Sequence, residues 1–213
     1  MEYRRWARAL CLSPAILLFA MPASAKVLHL RVDPSTTQIV ATVNEPLARI
    51  NGNVSGTFQV ITGEIDGDPA DPVATGHIDI VIDATSYTSD SPRRDKAVLR
   101  DALETRFYQV IKFVSTRIED LQWDAPNVIG SATVVGNLTL HGVTREIRVP
   151  IKATLSTDGR FSADGDFQFD CTAFGITPPR GLFGTLQAGK MVDLNFRVIA
   201  VAPDAPVATP APQ

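Results

Sequence analysis

GNLTLHGVTREIRV, residues 136–149, is the stretch that decides the fold. Leu138 and Leu140 alternate with Asn137 and Thr139; after His141-Gly142, Ile147 and Val149 alternate with Glu146 and Arg148. A period of two puts every second side chain on one face, as in a strand that buries one side. Two such runs around a glycine-containing turn form an antiparallel hairpin. The same period continues outward. Val134 extends the first stripe backward, and Ile151 carries the second past Pro150. Pro150 lacks an N–H to give, which predicts an edge, a bulge or a strand end there. Ile78, Ile80 and Ile82 alternate with His77, Asp79, Val81 and Asp83, and Val192, Leu194, Phe196 and Val198 form another stripe. Further strands are expected at 27–32, 38–43, 57–65, 110–118 and 161–169, with a hairpin turn at Asp158-Gly159. Gly130 and Gly136 fall inside strand patterns, where a bulge or a close backbone approach is expected. The fold class is all-β, with enough strands to close a barrel.

One segment departs from this period. Ser91-Pro92 reads as an N-cap followed by proline in the first turn. Val98, Leu99, Ala102, Leu103 and Phe107 then recur at helical spacing, with Arg93, Arg94, Asp95, Lys96, Arg100, Asp101 and Glu104 between them. The spacing predicts one short amphipathic helix over 91–107, lying against or over the barrel, with Leu99 and Leu103 facing inward.

The ends are of other kinds. Arg4, Arg5 and Arg8, an apolar run to Met21 and Ala23-Ser24-Ala25 have the layout of a signal peptide over 1–25, cleaved after Ala25. The run is too short for a membrane-spanning helix and Ser13-Pro14 interrupts it. Residues 202–213, APDAPVATPAPQ, have nothing to bury and read as a disordered tail. The domain is therefore expected over 26–201, in an exported protein.

Of 20 Lys and Arg and 23 Asp and Glu, the leader takes Arg4, Arg5, Arg8 and Glu2. The mature chain keeps 17 basic and 22 acidic residues, a net charge of −5. Such a surface does not suit nucleic acid, nor in general an anionic membrane. With Cys11 removed, Cys171 stands alone, which excludes an internal disulfide. It follows Phe167 and Phe169 and reads as a small buried hydrophobe.

Catalytic motifs are absent. His29, His77 and His141 are far apart, no Cys-x-x-Cys occurs, and no metal site or cofactor is called for. No nucleophile elbow, P-loop or dinucleotide fingerprint occurs. Glu64, Asp66, Asp68 and Asp71 lack calcium-loop spacing and read as a solvated hairpin tip. Period alone leaves two interiors open: a core filled by its Phe residues, or an apolar cavity such as closed eight-stranded barrels can hold.

Three blocks together resemble the YceI-like family of bacterial periplasmic proteins. Residues 91–113, SPRRDKAVLRDALETRFYQVIKF, are similar to its Arg-Asp motif, followed by a Leu, an aromatic pair and a strand ending in Phe. Residues 136–149 are the most specific match, to the family's hairpin of Gly, x, Leu, x, Ile or Leu, x, Gly, Val, Thr or Ser, Arg or Lys. Residues 169–175, FDCTAFG, are similar to its Phe-Gly turn before the last strands, and 78–86, IDIVIDATS, to the strand entering the helix. The sequence departs from the family in having Lys96-Ala97 where many members place a His, and Gln109 where many place a Pro.

The resemblance implies an extended antiparallel barrel of lipocalin-like architecture with one short helix at a barrel end. Family members with bound ligand hold a polyisoprenoid chain, such as a quinone tail or a polyprenyl phosphate. The function implied is a periplasmic lipid-binding protein that sequesters or carries a polyisoprenoid or related long-chain amphiphile, without stable membrane insertion. The expected lining is Phe58, Ile78, Ile80, Ile82, Leu99, Leu103, Phe107, Phe113, Val134, Leu138, Leu140, Phe167, Phe169, Phe174, Leu182, Phe183 and Phe196. Arg93, Arg94 and His141 are the candidate head-group contacts. Two other functions stay open. One is an enzyme on a hydrophobic substrate, using Asp95, Arg94 and His141. The other is a structural or partner-binding barrel with a filled core. Assembly as a homodimer is also left open.

Overall fold

The computed structural model describes residues 27–44, 52–123, 128–178, 180–181 and 186–203. The expected leader lies outside them, as do Leu182, Phe183 and the tail beyond 203. The strands, in chain order, are β1 (Leu28–Val32), β2 (Gln38–Asn44), β3 (Asn53–Phe58), β4 (Ile61–Gly67), β5 (His77–Asp83), β6 (Tyr87–Ser89) and β7 (Val110–Trp123). They continue with β8 (Val128–Leu140), β9 (Val143–Leu155), β10 (Phe161–Asp170), the short pair β11 (Arg180–Gly181) and β12 (Leu186–Gln187), and β13 (Met191–Val201).

β1, β4, β5, β7, β8, β9, β10 and β13 are neighbours in that order, and β13 pairs back onto β1. The result is a closed eight-stranded antiparallel barrel, whose interior is formed by the inward side chain of every second residue. β2 continues along β13 where β1 stops: Val32 faces Ala200 and Gln38 faces Arg197. β1 and β2 are thus one strand cut at 33–37. β3 and β4 form a second cut strand and β5 and β6 a third, with β3 on β2 and β6 on β3.

Short polar side chains make the cuts. The Asp33 carboxylate accepts from the Ser35 N–H at 2.9 Å, the Ser35 hydroxyl at 2.6 Å and the Thr36 hydroxyl at 2.9 Å. Asp83 accepts from the Thr85 N–H at 2.8 Å and its hydroxyl at 2.6 Å. A local turn held this way competes with the sheet ladder. The strand expected over 57–65 is broken for the same kind of reason. The Ser86 hydroxyl oxygen accepts from the N–H groups of Gln59 and Val60, each at 3.1 Å; Gln59 shares its N–H with the Ser86 carbonyl at 3.3 Å, and Val60 turns its own to the hydroxyl.

Beyond its cut, the third strand parts from its neighbour. β5 pairs with β7, from Asp79 opposite Val114 to Asp83 opposite Val110, while β6 pairs with β3 alone. The chain between β6 and β7 crosses this end as α2, numbered after the single turn α1 (Pro72–Thr75). α2 (Pro92–Ala97) is pinned to β6 by Asp95, which accepts from the Ser89 N–H at 2.8 Å and hydroxyl at 2.6 Å. It runs on into one π-helical turn, Val98–Ala102. The helix is therefore shorter than the expected 91–107. The Leu103 N–H donates to the Val98 carbonyl five residues back, and Glu104 turns the chain with φ +45°.

The deciding hairpin forms as read. β8 and β9 pair from Val128 opposite Leu155 to Leu140 opposite Val143. His141 (φ +53°) and Gly142 (φ +74°) form the turn, the doubly left-handed geometry favoured by two-residue hairpins. Pro150 keeps its place beside Thr133 of β8, but β9 pairs with β10 only over Lys152–Leu155. Pro150 thus marks where β9 leaves β10. Gly136 meets both expectations for a strand glycine. The β7–β8 register slips between Ser115 and Arg117 beside it, and a Cβ there would stand 2.5 Å from the Phe113 ring.

Candidate ligand cavity

Inward residues from three levels of the barrel do different things. At the waist, Leu30, Ile39, Ile61, Ile80, Val198 and Ala200 are buried in one core, with Phe113 and Phe196 packed against it. Toward α1, Ile78, Val134, Ile118 and Phe161 border an apolar pocket of about 100 Å3. Toward α2 the walls stand apart around about 510 Å3, within the usual size of a small-molecule site.

The larger cavity is lined mainly by apolar side chains. β8 contributes Leu138 and Leu140, β10 contributes Phe167 and Phe169, and β13 contributes Val192 and Leu194. β5 and β7 add Ile82 and Ile111. β2 and β3 bring smaller residues, Ala41, Val43 and Val54, together with Phe58. Going outward along β2, Ile39 at the waist gives way to Ala41, and that loss of side-chain volume leaves space. Phe58 and Tyr87 meet edge to face at 5.6 Å, as do Phe169 and Phe174, and these contacts hold the rings in place. Ala97, Val98, Ala102 and Leu103 close the cavity from the helix side. Arg93 lines the cavity and is also exposed, so the cavity reaches solvent there, beside Ser91 and Arg94.

Two polar groups in this wall are held neutral. Burial, and then the nearby Asp95 charge, pushes the Tyr87 phenol above its ordinary value. Burial likewise raises the Cys171 thiol, which lines the cavity as a small apolar group and not as a thiolate.

Of the expected lining residues, Phe58, Ile82, Leu103, Leu138, Leu140, Phe167 and Phe169 come together around the larger cavity. Ile78 and Val134 face the smaller pocket. Ile80, Phe113, Phe174 and Phe196 belong to the packed core. Leu99 is displaced from the lining because the π turn brings Val98 and Ala102 inward instead. Phe107 is on the surface, 72% exposed, because the chain has already left the helix at Glu104. The sequence reading missed Tyr87, Ile111 and Val98. Ile111 extends a period-two stripe with Phe113, which is the signal that could have found it; Tyr87, in the three-residue β6 and out of phase with Ile78, Ile80 and Ile82, carries no such signal.

Arg93 and Arg94 stand at the mouth, and Asp90 pairs with Arg94. His141 is not with them. Its imidazole is 9% exposed, bonded to Glu104 at 2.6 Å and tilted against the Tyr108 ring with centroids 4.2 Å apart. Instead of reaching the mouth as a head-group contact, His141 fastens the chain after the helix to the β8–β9 turn through this carboxylate. Arg94 and Asp95 are neighbours on α2, engaged by Asp90 and Ser89, while His141 is held by Glu104, so the three residues of the enzyme alternative do not converge on one another. Among the described residues, no group of three His, Cys, Asp or Glu side chains could hold a metal. No helix among them is long and apolar enough to cross a membrane.

A closed antiparallel barrel with a short helix over one end and an apolar cavity beneath it defines a lipocalin-like barrel protein. The sequence matches the YceI-like domain over residues 30–200, and the chain belongs to that family. A relative from Pseudomonas putida, a UPF0312 protein, is 33% identical over 150 residues, covering 70% of this chain and 73% of its own. A UPF0312 protein of Vibrio parahaemolyticus is 27% identical over 135 residues, covering 62% of this chain and 67% of its own. Among solved structures, Burkholderia cenocepacia BcnA superposes with a TM-score of 0.66 at 21% identity, over 80% of this chain and 99% of its own. A polyisoprenoid binding domain from Saccharophagus degradans, implicated in plant cell wall breakdown, superposes with a TM-score of 0.65 at 15% identity. That match covers 84% of this chain and all of that one.

Proposed function

We propose that this protein sequesters or carries one polyisoprenoid or related long-chain amphiphile, with its tail in the cavity of about 510 Å3. The observation that carries this is the cavity itself: mainly apolar in its lining, and reaching solvent beside two arginines. Taking the ~30 Å3 that a water molecule occupies in the liquid as the size of one carbon group, it holds on the order of fifteen to twenty carbons, or about three to four isoprene units. Each buried CH₂ contributes about 0.8 kcal/mol, so ten give about 8 kcal/mol before association costs. The fold shared with the Saccharophagus degradans domain supports the ligand class. The basic n-region and Ala23-Ser24-Ala25 support export to the periplasm with cleavage after Ala25, which N-terminal sequencing of the periplasmic protein checks.

Native mass spectrometry and organic extraction of protein purified from its own periplasm test the carrier role. One equivalent of isoprenoid lipid is expected, and a clean apo mass with no extracted lipid overturns it. Arg93→Glu, at an exposed position, should leave stability within about half a kcal/mol. It should weaken retention of a phosphorylated polyprenyl lipid and spare a neutral one. Equal retention of both removes the arginine from the head-group role.

A further inference from the structure

We propose that the helix end of the barrel docks on an anionic phospholipid surface, with Phe107 entering the interface and Lys96 and Arg106 facing the head groups. Phe107 is the most exposed large hydrophobic among the described residues, at 72%. It is also firmly presented. Its N–H and that of Tyr108 donate to the Glu104 carbonyl at 2.8 and 3.1 Å, and Glu104 is tied to His141 at 2.6 Å. Behind it the Tyr108 ring packs at a tilt against that histidine, so the turn stands on the barrel wall. The Arg106 guanidinium lies 5.8 Å from the Phe107 ring centroid. An exposed apolar ring beside cations is the combination that membrane-surface segments present to an anionic bilayer.

Charge favours the same occupant. The mature chain is anionic overall, yet residues 93–106 carry Arg93, Arg94, Lys96, Arg100 and Arg106 against Asp95, Asp101 and Glu104. Asp101 pairs with Arg100 and Asp90 with Arg94; Asp95 accepts from Ser89 and Glu104 is bonded to His141, so neither pairs with the remaining cations. Arg93 and Lys96 are three apart on the exposed face of α2, and with exposed Arg106 they have no carboxylate partner among the described residues. Cations near an anionic bilayer each strengthen binding by roughly fivefold. A single apolar insertion is weak alone, and the two signals together give reversible docking. The docked face is also the one at which the cavity opens, beside Arg93. On the carrier role proposed above, this lets a lipid tail pass between bilayer and cavity without crossing water.

Flotation of the mature protein with vesicles tests the proposal, using phosphatidylglycerol mixed into phosphatidylcholine, and phosphatidylcholine alone, at low and high salt. Binding is expected to the anionic vesicles and to fall with salt. Lys96→Glu with Arg106→Glu should weaken it by roughly 25-fold or more, and Phe107→Ser by about tenfold. Lys152→Glu, on an exposed position of β9 away from the helix, should change it little. Thermal melts of each variant separate lost docking from lost folding. Absence of binding, equal binding to both vesicle types, or indifference to the double reversal overturns the proposal. Phe107-dependent association with another protein, without vesicle binding, overturns it in favour of a protein partner. Lipid extracted from the same samples keeps the two proposals apart: cargo without docking sinks only this one, and docking without cargo sinks only the carrier.

Discussion

Around α1 the inward side chains of the barrel meet and leave about 100 Å3; around α2 the continuations of the same strands leave about 510 Å3. Both ends draw on the three cut strands, so strand number does not set the difference. Two things do. Beyond its cut the third strand no longer pairs with β7, which opens the wall to the helix. Inward residues also shrink along β2, from Ile39 at the waist to Ala41 beyond it. The packed waist and narrow end are where burial should hold the fold together, and the wide end is where that burial is given up for space.

The sharpest way to break the comparison is at the waist. In Gly136→Val the new Cβ would lie 2.5 Å from both the Phe113 ring and the Val114 carbonyl oxygen. The ring can move, but the paired backbone cannot. A loss of about 3 kcal/mol or more is expected in urea unfolding, at the upper end for overpacking. A loss under about 1 kcal/mol would mean that the waist is as forgiving as the cavity.

Leu103→Asp probes the other end. Leu103 lines the cavity and packs against the core, and the carboxylate finds no partner in an apolar wall. About 2 kcal/mol of destabilisation is expected, because the site lies next to a mouth through which water can follow. Retained lipid should fall with it. Full stability and full lipid content together would place Leu103 outside the cavity wall.

The unequal legibility of the two ends has a physical cause. A period of two tells which side chains point inward, but not at what height along the barrel. Ile78, Ile80 and Ile82 share one stripe, and the structure sends them to the narrow pocket, the waist and the cavity in turn. The hairpin at His141-Gly142, the parting of strands at Pro150 and the strained approach at Gly136 were all readable, because glycine and proline act on the backbone locally. The strand cuts had a signal too, in Asp33-Pro34-Ser35 and Asp83-Ala84-Thr85, but an Asp two residues before a hydroxyl is common in loops. The π turn leaves no trace in a 3.6-residue pattern: the spacing puts Leu99 on one stripe with Val98, Ala102 and Leu103, and the structure brings only the other three to the cavity. Phe107 was assigned to the interior because it is apolar, and nothing local says that the chain leaves the helix before reaching it.

The turn that fastens the cavity end offers a smaller effect. Gly142→Val must place a β-branched residue at φ +74°, with its Cβ 2.7 Å from the Tyr108 ring. The ring edge can yield, so the cost is mainly the backbone strain, about 1–2 kcal/mol. A drop in melting temperature is expected, with the tyrosine and Glu104–His141 contacts loosened. An unchanged melting temperature would show that the turn is not held in this geometry.

The smallest expected effect is a response to acid confined to the cavity end. Asp170 ends β10 beside the cavity; it accepts from the Thr172 hydroxyl at 2.6 Å and N–H at 2.9 Å, and pairs with Lys190 at 2.9 Å. The Thr172 hydroxyl first, and then Lys190, hold its carboxyl down at about 2, from an ordinary 3.8. A carboxyl whose folded value is depressed contributes stability that is fully present above the unfolded value. That contribution is lost as pH falls through the folded one, so the window runs from about 4 down to about 2. Asp170 is exposed to solvent screening, so the change should be local opening and not global unfolding. The next amide along the chain reports it, since the Cys171 N–H donates to the Lys190 carbonyl at 2.9 Å. Its hydrogen-exchange protection should decline across this window while amides of the waist strands hold theirs. In Asp170→Asn it should be lower at neutral pH and free of the acid dependence. Parallel pH profiles for the two proteins would show that the carboxylate does not fasten this end of the barrel.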